Sequence, residues 1–538
     1  MSAVDDLCRS YLDLRWHVDP ADGSAAGASD HDARLGRFDT EAMREHLAAF
    51  RALAGAAEEL DTSDLAEEID RTALLDDMRV VTFRFEHERP HERNPGFWLN
   101  HLFQSIYTLL AREGPAAERA PAVLERLRAA PAFLDAARAT IRQPPIVFVD
   151  AALGTLGGGG ELIAQATAHF GAASPALVEE LTAAAQAALE ALAAFGRALG
   201  SDIRPSDDLH SFAAGEEQFE RRLHHEHALR GGAPEMWRYG MHLQEEVEAG
   251  IVALAATIDA RRPWREVVAG IREASAPGGD PLALYQGEVD RARDFVEERG
   301  LMRRPDVPLH VVATPPFMVP LVPFAAYDPP PVETGGPGRF YVTVPPADAD
   351  PATRRRILRQ HSAFEVPSTV VHEAYPGHHL QLSAARALPS QVRRHLWTPV
   401  AVEGWALYAE TLMYEEGYHR DPEARLLHLV NLLWRATRIV LDVGLHTRGM
   451  SPTEAVDLMV ERLPIERRSA EAEVRRYCAM PTYQLAYAVG RREILSLRRA
   501  WRSAAGPSAP LADFHHALLS YGGLPTSLAR WGMGLDAE

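Results

Sequence analysis

The stretch HEAYPGHH, residues 372–379, sets three histidines and a glutamate around a Pro-Gly pair. Imidazole and carboxylate are donors that a divalent ion such as zinc accepts. A helix usually supplies them as two histidines one turn apart, with a glutamate beside the first to handle the attacking water. Here Pro376 stands where the second histidine belongs. On an unbroken helix His378 would lie about 120° around the cylinder from His372, and His379 about 10 Å further along it. Neither arrangement chelates comfortably.

Pro376 and Gly377 offer the way out. Proline removes the N–H that would bond the carbonyl of residue 372, and glycine tolerates the irregular backbone needed to absorb extra residues. The helix is therefore expected to bulge and then resume, with His378 moved into the place of the second ligand. His372 and His378 are the expected pair, with His379 in reserve. A hydrolytic zinc site takes a third protein ligand and leaves one position open. Glu403, in AVEGWALYAETLMYEEG, is the candidate, on a second helix that Gly404 allows to pack closely. A solvated helix face competes with ligation at that position. Glu373 is the expected general base.

The elements that must carry these residues are mostly helical. Ala, Leu, Glu and Arg dominate 41–60, 117–141 and 174–199 at helical spacing, and helical periodicity returns after 351. Between 303 and 347 prolines crowd in, and LHVVAT and GRFYVTVP predict a small sheet or hairpin. The turn-rich TGGPG makes RFYVTV a candidate edge strand. The expectation is a mainly α fold: a helical region over 1–300 covering a cleft, and a catalytic region over 301–538 with the sheet and the metal-binding helices, in one integrated domain.

With 538 residues, 46% of them hydrophobic and 24% charged, the chain has ordinary globular usage. A formal net charge of -19 disfavours nucleic acid and anionic membrane partners. Cys8 and Cys478 suit neither a disulfide framework nor a cysteine-rich zinc site. The acidic amino terminus resembles no export signal, and the apolar stretches read as broken before a bilayer-spanning length. These features predict a cytoplasmic protein with no membrane partner. Oligomeric state is left open.

HEAYPGHHLQ and VEGWALYAE, followed by RATRIVLDVGLHTRG and RRYCAMPTYQLAYAVG in that order, resemble a bacterial family known as domain of unknown function 885. The resemblance runs through most of the chain. It implies a helical, gluzincin-like metallopeptidase fold with a deep central channel and zinc held by His, His and Glu.

Around such a metal the negative charge built on a substrate carbonyl needs a donor, for which Tyr487 and His446 are the candidates. Arg438, Asp442 and His446 recur at four-residue spacing on one helix face, where Asp442 can pair with Arg438 or orient His446. Arg476 is a candidate for a terminal carboxylate. Tyr341, within RFYVTV, and His379 complete the expected substrate contacts, the strand holding an extended peptide by its backbone. RRLHHEHALRG at 221–231 reads as a solvated helix rather than a second metal site. GTLGGGGELI at 154–163 reads as a flexible helix connection without the ending of a phosphate loop. The expected activity is zinc-dependent hydrolysis of amide bonds in short peptides. A pathway-specific amide hydrolase and a catalytically silent peptide-binding protein are the alternatives.

Overall fold

The computed structural model describes residues 2–535, apart from 276, 278, 316, 317, 320, 321 and 323. They form two compact units. One takes the chain up to Ala214 together with Pro331–Gly336, and the other takes Gly215–Pro330 and Pro337–Glu538. The helices between 215 and 300 thus belong with the carboxy-terminal residues.

The regular structure of the first unit is helical, with long helices at Thr40–Glu59, Leu65–Phe83, Pro95–Ala111, Ala116–Thr140, Ile146–Ala173 and Val178–Ser201. Aspartate side chains cap several of them, Asp39 accepting from the Ala42 amide and Asp64 from that of Glu67. Two expectations are corrected at Ile146–Ala173. The glycine run at 157–160 does not interrupt this helix, and the 28-residue element is long and apolar enough to cross a membrane by length and composition. Glycine persists in the helix because a neighbour presses on it: a Cβ on Gly159 would lie 1.9 Å from the Phe103 ring. The helix packs against Pro95–Ala111, Ala116–Thr140 and Val178–Ser201.

The second unit holds the only sheet among the described residues. Strands β1 (Leu309–Ala313), β2 (Ala325–Asp328) and β3 (Gly338–Val342) lie in the order β1-β3-β2. β3 runs parallel to β1 and antiparallel to β2. RFYVTV is therefore the central strand and not the expected edge. Its backbone groups are spent on both neighbours, and Tyr341 is 4% exposed. The outer positions belong to β1 and β2. Phe340 and Val342 face a core with Val370, Val371, Trp405, Tyr408 and Phe514, which packs the sheet against helices Val366–Glu373 and Pro399–Glu415. Burying such large apolar side chains is worth about 1.5–3 kcal/mol each, and this fixes the two helices that carry His372 and Glu403.

Candidate metal centre

Helix Val366–Glu373 ends at His372 and Glu373, and a new helix, His378–Arg386, starts after four intervening residues. The expected bulge is a complete break. Pro376 has no N–H to continue the ladder, and Gly377 leaves helical geometry at φ -73, ψ -136. No larger residue fits there, because a Cβ would lie 1.9 Å from the His372 carbonyl oxygen and 2.3 Å from that of Val371. The Trp405 indole pins the turn by donating to the Pro376 carbonyl at 2.8 Å. The break brings the His378 ring across that of His372, with centroids 4.8 Å apart and planes at 88°.

Glu403 arrives on helix Pro399–Glu415, whose start is capped by Thr398 accepting from the Ala401 amide. Gly404 lies back to back with Gly490 of helix Ala486–Ala505, so that a Cβ on Gly404 would come within 2.5 Å of the Gly490 Cα. His372, His378 and Glu403 each turn one ligand atom towards a common point, and these atoms lie within 4.8 Å of one another. Glu403 Oε2 is 3.5 Å from His372 Nε2 and 3.4 Å from His378 Nε2. All three residues are buried.

The surroundings complete the arrangement. His372 Nδ1 donates to Glu410 Oε1 at 2.8 Å, and His428 Nδ1 donates to the other oxygen at 3.2 Å. A carboxylate behind a histidine orients its ring and makes it a stronger ligand. Tyr483 donates its hydroxyl to Glu403 Oε1 at 2.7 Å, leaving Oε2 to face the imidazoles. Burial alone would raise both carboxyls, but hydrogen bonds from His372 and His378 hold Glu403 well below the usual carboxylate range. Those from His372 and His428 do the same for Glu410. Burial works against the His372 imidazolium, yet bonds to Glu403 and Glu410 lift it to about 10. Two buried carboxylates thus demand a positive charge between them. The donor set of two imidazoles and one carboxylate oxygen fits a zinc-like ion, with one tetrahedral position left over.

Glu373 is partly exposed and accepts from the backbone N–H of Tyr327, on β2, at 3.0 Å. His379 turns elsewhere: Nδ1 accepts from the Tyr327 hydroxyl at 3.0 Å and Nε2 donates to the Val307 carbonyl at 3.1 Å. Burial holds its pKa down to about 4, so it serves as a neutral strut between helix and sheet. Tyr487 lies beside the cluster, its ring 6.3 Å from that of His372 at 20°, with the Arg438 guanidinium 4.9 Å above it.

Four other candidates are held by groups of the protein itself. Asp442 bonds the backbone N–H groups of Thr482 and Leu485, both at 3.0 Å, and lies 3.9 Å from His446 Nε2 rather than pairing with Arg438; burial pushes its carboxyl up to about 7 against the backbone bonds. Arg438 reaches the Tyr477 hydroxyl at 2.9 Å and Glu473 at 3.3 Å. His446 is 1% exposed and donates to the Tyr477 carbonyl at 3.1 Å. Arg476 pairs with Glu473 at 2.8 Å. In RRLHHEHALRG, His227 is buried rather than solvated and bonds the Thr482 hydroxyl at 3.0 Å.

Glu410, His428, Tyr327 and Tyr483 were not anticipated. Two carried a signal: Glu410 lies two helical turns beyond Glu403, and Tyr483 one turn's length before Tyr487.

No curated protein matches the chain. Among solved structures it is similar to one from Shewanella oneidensis described as a "putative lipoprotein of unknown function", with TM-score 0.80 and 22% identity over 99% of this chain and 100% of that one. A second, a "putative lipoprotein" from Colwellia psychrerythraea, gives TM-score 0.78 and 18% identity over 100% of both chains. At these identities the likeness shows a shared fold. A family model described as "Bacterial protein of unknown function (DUF885)" matches residues 20–533, and with nearly the whole length matched, the chain belongs to that family.

Proposed function

We propose that this protein is a zinc-dependent hydrolase of amide bonds in short peptides. The observation that carries the reading is the convergence of His372, His378 and Glu403 on one point, backed by Glu410. A zinc ion held there would polarise the scissile carbonyl and make water acidic enough to deprotonate near neutral pH. Glu373, one residue from His372, takes that proton and delivers it to the leaving nitrogen. Tyr487 is the donor to the substrate oxygen. Burial and the nearby Glu403 keep its pKa above the ordinary tyrosine value, so the hydroxyl retains its proton. Tyr483 is less suited to that task, because its hydroxyl is engaged by Glu403.

A metallopeptidase-like scaffold with access through a channel belongs to the same proposal. Its expected consequence is that short peptides are cut and folded proteins are not. A cytoplasmic location rests on the acidic amino terminus and the sparse cysteines, while the two similar structures are each described as a "putative lipoprotein". Cell fractionation of the native host decides between the compartments.

Glu373→Gln tests the mechanism directly. Zinc content measured by elemental analysis stays at the wild-type level, and cleavage of a mixed short-peptide library, read by mass spectrometry, is lost by at least a hundredfold. Undiminished cleavage would remove Glu373 from the mechanism. Stoichiometric peptide binding without products, in zinc-loaded wild type, would make the protein a peptide binder instead.

A further inference from the structure

Helix Pro422–Thr447 directs Arg438, Asp442 and His446, one turn apart, at a single target: the chain between Glu473 and Leu485. His446 and Arg438 hold Tyr477, through its carbonyl and its hydroxyl. Asp442 is wholly buried and spends each carboxylate oxygen on a different amide of the following turn, Oδ1 on Thr482 and Oδ2 on Leu485. Within that turn Thr482 has a φ of +67, a conformation that a β-branched residue keeps only when its surroundings hold it there. Its hydroxyl donates to the Pro481 carbonyl at 2.6 Å and accepts from His227 at 3.0 Å. The residue that follows is Tyr483, bound to Glu403 Oε1.

We propose that the Pro481–Leu485 turn, clamped by Asp442, is a positioning device that locks Glu403 through Tyr483 as a one-oxygen donor. The inference rests on the metal reading of the cluster and adds a cause for its geometry. A free carboxylate can close on an ion with both oxygens and fill the place a substrate needs. With Oε1 tied to the Tyr483 hydroxyl, only Oε2 faces the two imidazoles, at 3.4 and 3.5 Å. Asp442 and Tyr483 are positioning residues: the first acts on the second, and the second on Glu403. The strained turn is what a rigid lever of this kind requires, since a relaxed loop would let the phenol swing away.

The test uses the full chain and Co(II) alone, with affinity read by chelator competition and coordination by visible absorption. Tyr483→Phe is expected to weaken Co(II) binding ten- to a hundredfold and to change the spectrum from an intense four-coordinate form to a weaker five-coordinate one. Asp442→Asn, with one accepting oxygen left, is expected to weaken binding to a similar extent. It should add less than about threefold when combined with Tyr483→Phe, because both act along one route. Additive losses would overturn the clamp, and a Tyr483→Phe variant with wild-type affinity and spectrum would overturn the lock. Should Asp442→Asn fail to fold, Thr482→Ala removes only the hydroxyl between His227 and Pro481 and is expected to show the same non-additivity. Wild-type protein that takes up no Co(II) would refute the metal reading itself, which separates that failure from failure of the lock.

Discussion

The contact between Gly404 and Gly490 places a measurable demand on the site. An added Cβ on Gly490 would sit 2.0 Å from the Val400 carbonyl oxygen and 2.6 Å from the Gly404 Cα. Both are backbone atoms and cannot rotate aside, so in Gly490→Ala the two helices must part by about 1 Å to restore ordinary contact. Overpacking of this kind costs about 1–3 kcal/mol, a loss of about 1–3 °C in Tm for a chain of this length. Glu403 is the residue next to Gly404 and moves with it. Metal sites tolerate ligand displacements of only about 0.2 Å, so zinc affinity by chelator competition is expected to fall more than tenfold. Gly287→Ala is the control. It lies in helix Pro281–Glu298, its Cβ meets nothing within 4 Å, and alanine there should stabilise by about 0.5–1 kcal/mol without touching zinc. A Gly490→Ala protein that melts and binds zinc like the wild type would refute the argument that this close approach fixes Glu403.

Glu410→Gln keeps the shape but leaves an amide where two imidazole N–H groups seek acceptors, so zinc affinity should fall ten- to a hundredfold by the same competition assay. In zinc-free protein, His372 gains stability from a pKa raised to about 10 from 6.5. That contribution is complete below about pH 6.5 and lost as the pH rises through 10. Glu403 and Glu410, held below 4.5, contribute above that pH and lose their contribution on acidification. Tm measured in chelator should therefore fall from 6.5 towards 10 and fall again on acidification, and the alkaline loss should shrink in Glu410→Gln. Zinc at about a hundred times its Kd should stabilise the wild type by about 2.7 kcal/mol, and His378→Ala should abolish the shift in a thermal unfolding series.

The clustering of His372, His378 and Glu403 is legible in the sequence because its chemistry is local. Pro376-Gly377 between two histidines has one physical reading, a helix that cannot continue, and Glu403 sits in an apolar helix where a carboxylate needs a reason to be buried. The second layer was hidden. Glu410 is one of four glutamates between 403 and 416, and its place two turns beyond Glu403 puts it on the same helix face without showing that it meets His372. The four-residue spacing puts Arg438, Asp442 and His446 on one face and Asp442 beside His446, but their hydrogen-bond partners lie 31 to 43 residues on, beyond the reach of periodicity. RFYVTV was misassigned for a similar reason. Turn chemistry before a strand says nothing about a parallel partner 29 residues upstream, and β1 is what turns that strand into the centre of the sheet.

The tie between Glu373 and β2 runs through a main-chain amide of Tyr327, which any residue except proline supplies. Drift at position 327 can replace the phenol without releasing the carboxylate. Comparisons of side chains among relatives would therefore overlook this anchor, whereas Tyr327→Pro would cut it at a single stroke.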